Sequence, residues 1–479
     1  MPVSRVPFLF LSLLLALSAC GDDEPALSSD GPLQVRMDAI VRNPSNALSY
    51  YVFWETSRDV PSELRYDCGD GEYAGTLSDP TPRRAHEAFL MGLWEGASCE
   101  LTVVADEGEG EVTATDRIAS AGPVPSTLPD LDVQVSMPER MQPGWTFFSL
   151  ARANESHPRI TVALDAQGRY RWYLARGSDQ VGSGDEITLL PGGRLLLAAA
   201  EPQQIVNWEG DILFDLDQNA HHDAQIAPWD PEHILYLGVD TNCFEHTVEE
   251  LDMNTGEIVW QWSLCENWTP QYRYGNWSHV NTVTPVPGER AVVISSRNQD
   301  ALFKIQRDTD ELEWVLGRDG DFAMEDEALF YRQHAPEFLE TDDGSVEILL
   351  FDNGVGREEL SVLNEPLAWE RRWSRLVTYR LSFDESGAPD RADVVWEYDG
   401  GDRPFAENRS DVDRLPNGNT LAVWVYPAGP ARALRGDRRR LGGRLARRVA
   451  GGLGVLPHRA HRGPGGLRHR RLRASSRAP

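Results

Sequence analysis

The chain has 479 residues and a formal net charge of −29, from 75 acidic and 46 basic side chains. This acidic balance argues against nucleic acid as a partner, because an acidic surface repels the phosphate backbone. No phosphate-binding loop, nucleotide fingerprint or serine-triad motif occurs, so no cofactor is expected. The length leaves room for one large domain and a smaller one.

Residues 1–20 are typical of a lipoprotein signal peptide. An apolar run from Val6 to Leu17 is too short for a mature transmembrane helix, and it ends in Leu-Ser-Ala-Cys. This motif resembles the bacterial lipobox, in which Cys20 would be lipidated. We therefore expect an exported periplasmic or cell-surface lipoprotein, anchored to a bacterial membrane, with residues 21–32 as a spacer. The alternative is an ordinary cleaved signal with a chance cysteine.

Residues 33–120 contain short alternating strands separated by Pro, Gly and Asp turns. This pattern predicts a small β-sandwich of the fibronectin or immunoglobulin type, followed by a linker over residues 121–140. Four cysteines remain after Cys20, and an even count in an oxidising compartment permits disulfides. We expect Cys68 with Cys99 and Cys243 with Cys265, because each pair falls within one local unit. The alternative is four free, buried thiols.

Residues 141–428 contain an internal repeat. Five segments follow a turn and end on a large aromatic residue, at intervals of 42, 46, 54 and 82 residues: Trp172, Phe214, Trp260, Trp314 and Trp396. The first three intervals suit one four-stranded propeller blade each, and the last requires an insertion. Hairpin turns such as Leu-Pro-Gly-Gly lie between the aromatic segments. Together the two repeated elements predict a six-bladed β-propeller. We assign the aromatic residues to core packing.

The last segment, residues 429–479, departs in composition from the rest. From Ala431 onward there are 15 arginines and a single acidic residue, Asp437, so residues 1–430 carry −43. A basic tail can be a nucleic-acid arm. The abrupt Arg, Gly, Ala and Pro composition after a well-formed strand favours another hypothesis, a frameshift between about Trp424 and Ala431 that leaves a disordered tail. Resequencing the gene tests this hypothesis, and an intact native frame there would contradict it.

Aligning the repeats on their hairpin turns places one residue of each at the same position. Going along the chain, that position holds Asp185, His222, His279, His334 and Ser410. In a propeller, equivalent positions at the starts of inner strands converge on one end of the central channel, so the three imidazoles would meet in one pocket. His86, His157, His233 and His246 are assigned structural roles, whereas His221 would take the place of His222 if the alignment slips by one residue.

Polar residues near the aligned histidines suggest an anion site. Arg297 ends a very apolar strand, and its guanidinium fork matches the oxygens of sulfate or phosphate. Asn281 lies two residues after His279, on the same strand face, and can donate a hydrogen bond. Asn353 ends the next apolar strand, where it either orients an imidazole or forms a turn. We therefore treat Asn281 and Asn353 as substrate-binding candidates.

Five segments resemble the bacterial arylsulfotransferase family, in the same order along the chain: His221-His-Asp, Trp277-Ser-His-Val-Asn-Thr, Ser295-Ser-Arg-Asn-Gln, Gln333-His-Ala-Pro and Leu350-Phe-Asp-Asn-Gly. The resemblance implies a six-bladed propeller behind an N-terminal β-sandwich. It also implies transfer of a sulfuryl group from an aryl sulfate to a phenol, without a nucleotide sulfate donor. Asn298 departs from the histidine that is common after the family's arginine.

The resemblance also implies roles for individual residues. His334 would be the nucleophile that becomes sulfated, while His222, His279, Asn281 and Arg297 would hold the sulfuryl oxygens and assist proton transfer. A sulfohistidine intermediate requires an imidazole that is neutral at working pH. No metal is expected, because Arg297 would oppose a cation, and a homodimer is left open. The alternatives are a three-histidine metal-dependent hydrolase and a non-catalytic binding propeller at the cell surface.

Overall fold

The computed structural model describes residues 27–131, 137–150, 160–175, 186–198, 203–216, 220–240, 245–269, 276–357, 373–400, 405–425 and 452–456. Within these ranges the chain is all-β, as predicted. Its helices there are one four-residue α-helix and three 3-10 turns: Leu264–Asn267, Pro138–Arg140, Arg297–Gln299 and Asp326–Ala328. No helix of this described part has the length and hydropathy to cross a bilayer. Described residues 27–128 and Tyr170–Trp172 cluster into one compact unit, and the other described residues into a second.

The first unit contains one five-stranded antiparallel sheet. Its order is β1-β2-β4-β5, and β3 also pairs with β2. Alternate residues of β2, among them Val52, Trp54 and Leu64, are fully buried, because successive side chains of a strand point to opposite faces. The strands are β1 (Val35–Arg42), β2 (Tyr50–Cys68), β3 (Tyr73–Leu90), β4 (Cys99–Ala105) and β5 (Val112–Ile118).

The predicted disulfide between Cys68 and Cys99 is confirmed. It joins β2 to β4 at a position where the two residues are also cross-strand partners, with their Cα atoms 4.1 Å apart. Cys265 is also disulfide-bonded, whereas Cys243, its expected partner, lies outside the described residues. Cys20 lies outside them as well, so the structure does not bear on lipidation.

The rest of the described chain forms six antiparallel sheets, numbered here in chain order; they belong to the second unit except for Tyr170–Trp172 of β8, which cluster with the first. The first has β6 (Thr146–Leu150), β7 (Ile160–Leu164) and β8 (Tyr170–Ala175). The second has β9 (Glu186–Leu190), β10 (Arg194–Ala198), β11 (Gln203–Asn207) and β12 (Ile212–Leu216). The third has β13 (His221–Ile226), β14 (His233–Asp240), β15 (Glu245–Asp252) and β16 (Glu257–Ser263).

The remaining three sheets follow in the same way. The fourth has β17 (Val280–Pro285), β18 (Ala291–Ser296), β19 (Ala301–Gln306) and β20 (Leu312–Gly317). The fifth has β21 (His334–Leu339), β22 (Val346–Asp352), β23 (Arg375–Phe383) and β24 (Pro389–Tyr398). The sixth has β25 (Asp411–Arg414), β26 (Thr420–Trp424) and β27 (Gly452–Leu456). The five repeat aromatic residues lie on the last strand of the first five sheets.

Each sheet is a simple meander in which consecutive strands pair. Apolar side chains of neighbouring sheets pack against each other, so the cores lie between sheets. Phe303, for example, is fully buried in the core shared by the third and fourth sheets; replacing a residue of this kind with alanine typically costs about 3–5 kcal/mol. The first strands of successive sheets also lie against one another.

The sixth sheet hydrogen-bonds to the segment that precedes the first sheet. The side chain of Asn419 donates to the carbonyl of Arg140 at 2.6 Å, and the backbone N–H of Asn417 donates to Oε1 of Gln142 at 3.1 Å. The beginning and the end of this series of sheets therefore meet. In the arginine-rich tail the structure describes only β27, which pairs with β26; the predicted disorder and frameshift stay predictions.

Candidate active site

His334 begins the first strand of the fifth sheet, and its hydrogen bonds fix the position of its ring proton. Nδ1 lies 2.7 Å from Oδ1 of Asn353 and 3.1 Å from the carbonyl oxygen of Arg332. The orientation of the Asn353 amide is set by its nitrogen, which donates to the carbonyls of Ala406 and Arg409 at 2.9 and 3.0 Å. Both neighbours of Nδ1 are acceptors, so Nδ1 carries the proton and Nε2 keeps its lone pair.

That lone pair accepts a hydrogen bond from Arg409, a residue that the sequence analysis missed. The backbone N–H of Arg409 lies 3.2 Å from Nε2 of His334. Arg409 and Ser410 both have left-handed backbones, with φ of 54° and 79°. A left-handed non-glycine residue is uncommon and is often found at a functional site. The only sequence signal was that Arg409 immediately precedes Ser410, which occupies the aligned position of the sixth repeat.

His222 and His279 face each other across the third and fourth sheets. Their rings form an edge-on contact with centroids 4.9 Å apart and an interplanar angle of 79°. Both have left-handed backbones, with φ of 57° and 44°, like Ser410 at the same aligned position. In the fifth sheet the left-handed residue is Ala335, one residue after His334, so the hairpin alignment and the backbone geometry differ there by one position.

The proton of His279 lies on the opposite nitrogen from that of His334. Oδ1 of Asn276 accepts the backbone N–H of His279 at 3.0 Å, which turns the Asn276 amide nitrogen toward Nδ1 of the ring, also at 3.0 Å. Nδ1 therefore accepts, and a neutral His279 carries its proton on Nε2. Asn276 was not predicted, although an asparagine three residues before a strand-initiating histidine is a recognisable turn signal.

His222 also contacts the preceding residue, His221. Their Nδ1 atoms are 2.6 Å apart, and Nε2 of His221 lies 3.2 Å from the carbonyl oxygen of Gly238 on β14. The two rings are nearly perpendicular, at 88°. A register shift in β13 accompanies this contact: His221 pairs with Leu237, and the ladder resumes only at Ala224, as in a β-bulge.

Burial and positive charge keep His334 and His222 neutral. Burial lowers the pKa of His334 to about 4, and the charges of Arg297 and His222 act in the same direction against the hydrogen bond to Asn353. Burial likewise lowers the pKa of His222 to about 4, helped by Arg409 and Arg297. Desolvation disfavours the charged form of an imidazole. Both rings are therefore available as neutral nucleophiles or bases at pH 7.

Arg297 lies at the end of β18 and presents a guanidinium that no described carboxylate neutralises at ion-pair distance. Its Nη1 donates to Oδ1 of Asn298 at 3.0 Å. The nearby carboxylate of Asp300 lies 3.8 Å from Arg332 and 3.9 Å from Arg318 instead. Burial and the charge of Arg332 lower the pKa of Arg297. The carboxylates of Asp300 and Glu407 act on Arg297 only from beyond ion-pair distance. A partly buried cation of this kind, which also acts on two histidines, suits an anionic ligand.

Asn281 lies under the site rather than at its surface. The residue is buried, and its amide nitrogen donates to the carbonyl of Gln333 at 2.8 Å. Gln333 is fully buried, and its own amide donates to Ser295 Oγ and to the carbonyls of Ser296 and Ala301 at 3.0–3.1 Å. Asn281 thus fixes the backbone immediately before His334, as Asn353 fixes its ring.

The first strands also carry carboxylates that the sequence analysis did not single out. Asp223 accepts the backbone N–H of Val283 at 2.8 Å, and Glu337 accepts that of Arg414, also at 2.8 Å. Both bonds join the first strands of neighbouring sheets. Burial raises the pKa of Asp223 and of Glu337 to about 7. Among the described residues no group of three or more His, Cys, Asp or Glu side chains is arranged to hold a metal ion.

Solved structures with a weak likeness to this chain include the following three. A putative 6-phosphogluconolactonase from Bacteroides uniformis is 12% identical, with a TM-score of 0.33 over 76% of this chain and 89% of that one. An auxiliary nutrient binding protein from Bacteroides ovatus is 7% identical, with a TM-score of 0.33 over 83% and 96%. The fn3 domain of human collagen alpha-1(XX) chain is 20% identical, with a TM-score of 0.16 over 22% and 97%. No conclusion is drawn from TM-scores this low.

Comparison with curated proteins gives no match. The sequence profile of the family described as Arylsulfotransferase (ASST), in contrast, matches residues 132–433. That range contains His222, His279, His334, Arg297 and Arg409 and covers more than half of the chain. The chain therefore belongs to the arylsulfotransferase family and is an arylsulfotransferase enzyme, whose substrates are small-molecule aryl sulfates and phenols.

Proposed function

We propose that the enzyme transfers the sulfuryl group through a covalent intermediate on Nε2 of His334, independently of a nucleotide sulfate donor. The observation that carries this proposal is the proton position of His334. Asn353 and the Arg332 carbonyl hold the proton on Nδ1, so the lone pair of Nε2 is directed away from them. With a pKa of about 4, that nitrogen is neutral at physiological pH and able to attack sulfur.

In the first step Nε2 of His334 attacks the sulfur of the aryl sulfate. The N–S bond forms as the S–O(aryl) bond breaks, and the electron pair leaves on the phenolate oxygen. The attacked imidazole gains positive charge, which the Asn353 oxygen stabilises through Nδ1–H. His279, which carries its proton on Nε2, can donate a hydrogen bond to the departing phenolate oxygen and stabilise its negative charge without giving up the proton.

The sulfuryl oxygens need fixed donors as charge redistributes during transfer. Arg297 supplies one guanidinium, and Arg409 supplies a second that also acts on His222. In the free enzyme the backbone N–H of Arg409 donates a hydrogen bond to Nε2 of His334. Once that nitrogen is bonded to sulfur, the same N–H is placed to donate to a sulfuryl oxygen. Asn281 and Asn353 then act as positioning residues rather than as direct ligands of the substrate.

In the second step a phenol attacks the sulfur of sulfo-His334. The O–S bond forms, the N–S bond breaks, and its electron pair returns to Nε2. The phenol must lose its proton to a base as its oxygen bonds to sulfur. Because donor and acceptor react with the same nitrogen in turn, we expect ping-pong kinetics.

The proposal extends to architecture and location. Six meandering sheets, whose first strands adjoin and whose last member is hydrogen-bonded to the segment just before the first, support a six-bladed β-propeller. The five-stranded sheet of the first unit fits part of an N-terminal β-sandwich. The Leu-Ser-Ala-Cys motif at residues 17–20 supports export and lipid anchoring at a bacterial membrane, in the periplasm or at the cell surface. Light scattering would measure the molar mass in solution and so decide between a monomer and a homodimer.

Mass spectrometry after incubation with 4-nitrophenyl sulfate tests the central step. We expect a sulfated peptide that contains His334, and a loss of transfer to phenol of roughly 10³-fold or more in His334→Ala. His233→Gln is the matched control, because His233 is bound to Glu250 at 2.6 Å outside the site. Undiminished transfer by His334→Ala would show that the nucleophile is misassigned.

A further inference from the structure

The proton position of His222 follows from its contact with His221. Nε2 of His221 faces the carbonyl oxygen of Gly238 at 3.2 Å, and a carbonyl oxygen can only accept. A neutral His221 therefore carries its proton on Nε2 and has a lone pair on Nδ1. Nδ1 of His222, 2.6 Å away, must then be the donor. A neutral His222 consequently keeps the lone pair on Nε2.

We infer that His221 is a positioning residue that makes His222 the general base for the acceptor phenol. This inference rests on the proposed two-step transfer and assigns the proton acceptor of the second step. Nε2 of His222 takes the phenolic proton as the phenol oxygen bonds to sulfur and the N–S bond to His334 breaks. His279, with the opposite tautomer, cannot take that proton on Nε2 in its neutral form.

The environment of His222 explains why a second imidazole is useful there. Arg409 and Arg297 both act on His222 and oppose its protonation, and His279 lies against its other side. A proton that arrives on Nε2 can be balanced by transfer of the Nδ1 proton to His221. The positive charge then moves to a ring whose Nε2–H is held by the Gly238 carbonyl.

Two substitutions separate this role from a structural one. In His221→Gln the amide nitrogen can reach the position of Nε2 and keep the bond to Gly238, but nothing accepts from His222. In His221→Asn the amide oxygen can take the position of Nδ1 and still accept from His222, but the bond to Gly238 is lost. If His221 only held the strands together, Gln would be the milder change; if it sets the tautomer, Asn would be the milder change.

The assay separates the two half-reactions. The burst of 4-nitrophenolate from 4-nitrophenyl sulfate reports formation of sulfo-His334, which does not need the base, since this leaving group departs as an anion. Transfer is then measured to phenols of graded acidity. For His221→Gln we expect a burst within about twofold of wild type and a loss of about 10²-fold with weakly acidic phenol. With a fluorinated phenol that is already ionised, the loss should be below about threefold.

With phenol as the acceptor, His221→Asn should be at least tenfold more active than His221→Gln. Thermal unfolding of both variants accompanies the assay, so that a folding defect is visible as a lowered midpoint. A loss that is equal for all phenols, or an Asn variant worse than Gln, would overturn the role of His221. If wild type gave no burst and no sulfated His334 peptide, the covalent mechanism itself would fail, and that result is distinct from either of these.

Discussion

The two buried histidines of the site should set the lower pH limit of the reaction. The neutral imidazole is the reactive form, and both His334 and His222 have a pKa of about 4. Lowering the pH therefore removes activity only as it approaches that value, and not near 6.5, where an ordinary histidine titrates. We expect the rate of the 4-nitrophenolate burst to be flat from about pH 8 to pH 5 and to fall below that. A burst rate that falls with a midpoint near pH 6.5 would contradict this assignment.

Arg297 provides the control for that pH profile. Its positive charge contributes to the low pKa of both histidines, so Arg297→Gln should raise the pH at which activity falls. The same substitution removes a donor to the sulfuryl oxygens, and we expect kcat/KM to drop by about 10²–10³-fold. Arg290→Gln is the matched control, since Arg290 pairs with Asp308 at 3.0 Å outside the site and should leave the profile unchanged.

At the scale of the elements, the N-terminal sheet tests the contribution of its disulfide. The bond between Cys68 and Cys99 closes a loop with a sequence separation of 31 residues, for which the chain-entropy account gives about 3.7 kcal/mol. In the double variant Cys68→Ala with Cys99→Ala, the free energy of unfolding of this unit, measured by denaturant titration, should be lower by that amount. Burst activity at 25 °C should persist, because the site residues all lie in the second unit. Loss of activity without unfolding would contradict this separation.

Much of the strand arrangement could be predicted because its signals are local. Turn residues and period-2 alternation are properties of adjacent residues, and the repeated hairpins bring His222, His279 and His334 to the starts of neighbouring sheets. The partners that fix their protons were not predictable in the same way. Arg409 reaches His334 across 75 residues through a left-handed backbone. The register shift at which the rings of His221 and His222 meet has no marker in the sequence.

The roles of the polar residues Asn281 and Asn353 could not be fully predicted from the sequence either. Asn281 was a candidate ligand donor because it lies two residues after His279, and Asn353 was a candidate either to orient an imidazole or to form a turn; the structure shows it orienting His334. In the folded chain their amides are used on backbone carbonyls, Asn281 on Gln333 and Asn353 on Ala406 and Arg409. Buried backbone acceptors need partners, and only the packing of adjoining sheets shows which carbonyls lack one.

At the scale of the whole molecule, the site depends on the junction between the sixth sheet and the segment that precedes the first sheet. His222, His279, His334 and Arg409 come from the third to the sixth sheets, so displacing the sixth would remove Arg409 from His334. Asn419, which is buried, bonds to the Arg140 carbonyl at 2.6 Å and is one of the groups that hold the two ends together. Asn419→Ala leaves that carbonyl without this donor, at a cost of about 1–3 kcal/mol.

We therefore expect Asn419→Ala to unfold at a lower temperature than wild type and to lose burst activity over the same temperature range. Asn254→Ala is the control, because Asn254 lies in an exposed turn and its amide bonds to Glu232 at 3.3 Å, away from this junction. Trp424, on β26 of the sixth sheet, provides a fluorescence signal for the loss. The contrary result would be an Asn419→Ala variant with the melting temperature of wild type and an Asn254→Ala variant with a lower one. In that case the junction with Arg140 would not be what holds the sixth sheet and Arg409 beside His334.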